Sequence, residues 1–154
     1  MMVMTAKVNL KKITILLGAL ALAVIALVML LGRPAQQTGT QPVSGNDARV
    51  EFLENFGWEV SPTPVESGRV KIPAERNEVF DRYAQLQKSQ GYDLAPYAGK
   101  TVMRYVYQIT NYPDATDPVY ATLLVHKNQI IGGDITNTGP DGRVQGFTRP
   151  DTTP

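Results

Sequence analysis

Few side chains in this chain of 154 residues have the types and spacing that chemistry needs, and most lie in its last third. His126 is the only histidine. As a general base it needs a nucleophile and an orienting carboxylate within hydrogen-bond reach. No sequence motif supplies them, although Asp134 on the paired strand can lie nearby. Asp114, Asp117, Asp134 and Asp141 sit in or beside loops. Calcium wants acids at alternate positions of one tight loop with a closing glutamate, and that pattern is missing. These aspartates read as turn formers, so no metal and no cofactor is expected.

Gly132 and Gly133, in I-I-G-G-D-I, lack the lysine and the strand-to-helix setting of a phosphate loop. Glycine inside a strand marks a bulge or close packing beneath an aromatic, here Trp58 or a tyrosine. With no cysteine, disulfides, thiol nucleophiles and thiolate metal sites are excluded.

Seven tyrosines are many for this length. Alternation places Tyr105 and Tyr107 on one strand face with Met103 and Ile109. If that face is the core, the two rings are packing residues, which is the favoured reading. If helices cover the other face, they form an exposed platform for peptide or glycan. The candidate binding surface is Tyr105, Tyr107, Tyr120, His126 and Asp134, with no catalytic set among them.

The elements that must position these residues follow from periodicity. Asp47 or Asn46 can cap a helix over Ala48 to Phe56, with Gly57 as the stop. Val65 to Ile72 alternates as an extended segment. Glu75 to Gln90 is the best helix, with Val79, Phe80, Tyr83, Leu86 and Gln87 as its buried stripe and Gly91 as its end. From Thr101 the period is two, then Val119 to Lys127 and Gln129 to Thr136 form a hairpin turning near Lys127 and Asn128. Gly142 to Phe147 adds a short edge strand. The order reads as α+β, most simply a two-layer domain with both helices packed on one face of an antiparallel β-meander.

Ahead of this domain stands Ile13 to Gly32, a charge-free, predominantly apolar run whose twenty residues reach about 30 Å as a helix, the thickness of a bilayer core. It reads as a transmembrane helix and makes the lipid bilayer a partner. Lys7, Lys11 and Lys12 precede it and set the amino terminus inside. The organisation is then a cytoplasmic leader over 1–12, the span over 13–32, a flexible linker over 33–46, an extracytoplasmic domain over 47–147 and a disordered tail over 148–154. A cleaved signal peptide, leaving a secreted protein, is the alternative, but Ala19, Ala21 and Ala23 fall in mid-run. After Asn46, eleven basic residues face fourteen acidic ones, a net charge of −3. Such a domain lacks the electrostatic footprint of a nucleic-acid binder.

Four segments carry a family resemblance: R-V-E-F-L-E-N-F-G-W-E-V from Arg49, Y-A-Q-L-Q-K-S-Q-G-Y-D-L-A-P-Y-A-G-K from Tyr83, Y-A-T-L-L-V-H-K-N-Q-I-I-G-G-D-I from Tyr120 and V-Q-G-F from Val144. The chain resembles a family of uncharacterised single-span bacterial proteins, the domain of unknown function 4830. In that family a cysteine often follows G-G-D-I and the closing motif is often M-H-G-F. Thr136-Asn137 and Val144-Gln145 stand there instead. The resemblance implies a membrane-anchored extracytoplasmic domain and transfers no activity. The functional expectation is a non-enzymatic interaction module at the outer face of the cytoplasmic membrane, binding an envelope protein or peptide. The alternative is a small envelope enzyme or a small-ligand or glycan binder using His126, Asp134 and the tyrosines.

Overall fold

The computed structural model describes residues 41–140 and 142–150. The leader and the apolar run Ile13 to Gly32 lie outside the described residues, as does most of the 33–46 stretch. No helix among the described residues is long and apolar enough to cross a membrane. The elements in order are β1 (Gln41–Pro42), α1 (Asn46–Glu54), β2 (Glu66–Lys71), α2 (Glu78–Ser89), β3 (Thr101–Ile109), β4 (Val119–His126), β5 (Gln129–Asn137) and β6 (Val144–Gln145).

The strands form one antiparallel sheet in the order β1-β5-β4-β3-β2, with β6 also pairing to β5. The turn between β4 and β5 forms because Lys127 and Asn128 both take left-handed φ, 49° and 61°, the twist that suits a two-residue hairpin. The fold is α+β, two helices on an antiparallel sheet. The layering differs from the expected two-layer arrangement, because the helices take opposite faces. Phe52 and Leu53 of α1 join Tyr107, Ile109, Ala121, Leu123, Val125 and Ile135 in one buried cluster. Phe80 and Tyr83 of α2 pack with Val102, Leu124 and Ile131 in another. Neighbouring side chains along a strand point to opposite faces, so Leu123 and Leu124 belong to different cores.

Local differences have local causes. Neither Asp47 nor Asn46 caps α1; Gly45 holds that position, with φ 96° and no side-chain cap. Asn46 makes long-range bonds instead. Its Oδ1 accepts from the Tyr107 hydroxyl at 3.0 Å and its Nδ2 donates to the Pro62 carbonyl at 2.7 Å. On α2 the cap is Asn77, whose Oδ1 accepts from Phe80 N at 2.9 Å and starts the helix three residues after Glu75. Val79, expected on the buried stripe, is 79% exposed.

Within the stretch read as a linker, Gln41–Pro42 pairs with β5 and Val43 is buried. At the other end, Phe147 is buried against Phe52, Phe56 and Tyr92, and its carbonyl accepts from Trp58 Nε1 at 2.6 Å. Arg149, inside the stretch read as a tail, lies 5.1 Å from the Trp58 ring centre and donates to the Gly57 carbonyl.

Candidate functional site

The five residues marked as a binding surface divide between the two faces. Tyr107 is fully buried under α1, where Arg49 Nε donates to its hydroxyl at 2.9 Å. Burial pushes its phenol up, and the Arg49 bond pulls the other way. The Arg49 guanidinium also stands 3.8 Å from the centre of the half-buried Tyr105 ring, a cation–π contact. These two tyrosines are packing residues with engaged partners. The exposed-platform alternative is corrected, since α1 covers their face.

Tyr120, His126 and Asp134 lie on the α2 face. Tyr120 pairs opposite Thr136, and Asp134 opposite Thr122. His126 is four residues farther along β4 than Thr122, a separation of roughly 13 Å at the usual rise. It packs edge-on against Tyr97, ring centres 5.3 Å apart. The structure therefore separates His126 from Asp134, and the pair assembles no acid–base site.

Asp134 instead forms the floor of a groove of about 430 Å³ between α2 and the sheet. Val70, Phe80, Tyr83, Arg104, Thr122 and Val144 are among its walls. A neighbouring hollow of about 330 Å³, bounded by Val79, Arg82, Tyr83, Leu86 and Val144, shares Tyr83 and Val144 with it. Val79 and Val144 are two of the three large apolar side chains most exposed among the described residues, at 79% and 54%. Both line that hollow.

Asp134 is 6% exposed, and each carboxylate oxygen accepts from one hydroxyl. Tyr83 Oη donates to Oδ1 at 3.0 Å and Thr136 Oγ1 to Oδ2 at 2.7 Å. Burial raises its carboxyl above the ordinary range, partly offset by those two bonds and by the Arg104 charge. Burial also raises the Tyr83 phenol, reinforced by the Asp134 charge, so its proton stays in place to donate. The arginine of the groove, Arg104, is engaged with Glu66, and that of the hollow, Arg82, with Glu78. Among the described residues, Asp134 has no cation within ion-pair distance.

Gln87 places α2 over this floor. Fully buried, its amide pairs with Gly133 as a strand residue would, Nε2 donating to the carbonyl at 2.9 Å and Oε1 accepting from the N–H at 2.8 Å. Gln90 donates to the same carbonyl at 3.1 Å and accepts from Phe147 N at 2.7 Å. The glycine pair is explained by close approach. A Cβ on Gly132 would lie 2.7 Å from Gln87 Oε1, and one on Gly133 would meet the Thr122 carbonyl and lie 2.5 Å from Phe147 Cζ. The aromatic against Gly133 is thus Phe147, not Trp58 or a tyrosine, while Gly132 faces Gln87 and Leu94.

Among the described residues no group of three or more His, Asp or Glu is placed to hold a metal. The sequence reading singled out Asp134 and missed its partners Tyr83 and Thr136. One signal was available: a lone acid inside a strand that is otherwise aliphatic and glycine needs donors from across the sheet.

A family model described as a domain of unknown function (DUF4830) matches residues 52–135, more than half of the chain. That span runs from α1 through Asp134 and includes Tyr83 and Gln87 but stops short of Thr136 and Val144. No curated protein and no solved structure matches.

Proposed function

This chain belongs to the family of domain of unknown function 4830, and from that premise we propose that it is a non-catalytic interaction module that docks a partner protein or peptide in the groove beneath α2. The observation that carries this is the groove itself. Its lining includes a buried carboxylate, and exposed Val144 is shared between it and the adjoining hollow that exposed Val79 also lines. Exposed apolar residues scattered singly need no explanation, but two lining one hollow that adjoins a polar groove fit a recognition surface. The separation of His126 from Asp134 supports binding over the hydrolytic alternative.

The module works at the outer face of the cytoplasmic membrane, held by Ile13 to Gly32 with its amino terminus inside. The support for this is in the sequence: the length of the apolar run, the lysines ahead of it and the acidic balance after it. A tether of that kind fixes where encounters occur and raises the local concentration of surface partners.

The test is a photo-activated cross-linker placed at Val144 in the full-length chain in cells, with Glu51 on the α1 side as the control position. The expected result is one adduct with an envelope protein from Val144, absent from Glu51, together with protease sensitivity of the domain in intact spheroplasts. No adduct from Val144, accompanied by hydrolytic turnover in the purified chain, would sink the docking reading. A domain that external protease cannot reach would sink the placement.

A further inference from the structure

Resting on the reading of this groove as a docking surface, we propose that it takes a basic side chain, a lysine or arginine on an extended segment of the partner, with Asp134 as the counter-charge. The charge pattern points that way. The arginines of the groove and of the adjoining hollow already have their own carboxylates, Glu66 for Arg104 and Glu78 for Arg82. Asp134 has only two neutral donors, Tyr83 and Thr136. A carboxylate has about four lone-pair sites, so two remain for an incoming ammonium or guanidinium.

The shape of the opening agrees. A lysine or arginine carries a long aliphatic stem that prefers apolar surroundings while its head seeks charge. Val70, Phe80, Leu124 and Val144 supply the apolar walls and Asp134 the charged end, with Tyr83 lining the same groove. Arg104 in the same groove offsets the burial of Asp134 only in part, being paired with Glu66, and a ligand that brings its own cation relieves the remainder. The net charge of −3 after Asn46 steers a cationic segment toward the domain.

The experiment uses the full-length chain in phosphatidylcholine nanodiscs, with empty discs as the blank. The probes are three fluorescein-labelled pentapeptides, identical except for a central lysine, norleucine or glutamine between valines, followed by fluorescence anisotropy. The lysine peptide should bind on the order of tenfold or more tightly than the norleucine peptide, and Asp134→Asn should erase the difference. Comparison of the lysine and norleucine peptides needs no variant, so it stands even if Asp134→Asn folds poorly.

Equal binding of lysine and norleucine peptides overturns the charge assignment while leaving the docking reading in place. A lysine preference that survives Asp134→Asn overturns the role of that carboxylate. Failure of every peptide, with cross-linking from Val144 intact in cells, overturns this inference alone. Loss of both overturns the docking reading too.

Discussion

The two faces of the sheet are built by different rules. Under α1 the packing is aromatic, with Phe52, Trp58, Tyr107 and Phe147 closed around the aliphatic residues of β3, β4 and β5. Under α2 the apolar cluster is smaller, and beside it lies an open cleft with a carboxylate at its base. One face is spent on stability and the other holds a group that works against it. A carboxylate buried without an ion-pair partner is not what a packing surface selects, which is why the α2 face is the one to probe for recognition.

The comparison breaks most directly at Phe147. Phe147→Ala should destabilise the domain by about 3–5 kcal/mol in urea titration, because a fully buried ring leaves a cavity that three other aromatics line. A loss below about 1 kcal/mol would mean that the α1 face is not the stabilising one. Next is Gln87→Leu, which keeps the volume but strips the Gly133 N–H of its partner. We expect about 2–3 kcal/mol of destabilisation, with Gln90 still serving the carbonyl.

Asp134→Asn should have the opposite sign. Burial holds the folded carboxyl above its unfolded value. The stability contributed by its neutral form is therefore complete below the ordinary carboxylate range and is lost as pH rises through the raised folded value. Asparagine carries no charge at any pH. Its melting temperature should exceed that of wild type at about pH 8, and the gap should close on acidification toward about pH 4. A variant that melts lower than wild type at the alkaline end would show that the carboxylate stabilises the fold. The smallest effect is expected from Val79→Ser, within about 0.5 kcal/mol of wild type, since that side chain is 79% exposed. The same change should weaken whatever docks in the groove.

Much of this contrast was legible in the chain. Alternation found β3, the Lys127-Asn128 turn placed the hairpin, and Gly91 ended α2 where expected. The placement of the helices was not read correctly, although a signal existed. Leu123, Leu124 and Val125 are consecutive and buried, and a strand covered on one face alternates with polar residues. The cap of α1 was misread because Asn46 bonds to Tyr107 and Pro62, partners sixty-one and sixteen residues away that no local window contains. The partners of Asp134 were missed for the same reason. Tyr83 reaches it from a helix fifty-one residues earlier, and only the folded topology brings the two together.

The helical glutamines have one more consequence, for the sheet as a possible template. The outer edge of β5 is covered in three pieces: β1 over Gln129 and Ile130, the Gln87 amide at Gly133, and β6 over Ile135 and Thr136. Among the described residues this leaves β2 as the one long strand with an unpaired side. Open-ended strand stacking needs a free edge at both ends of each unit, and a sheet sealed on one side can pair once and then stop. Arg69 and Lys71 further charge the free side. A domain built this way can be crowded at a surface without running into fibres.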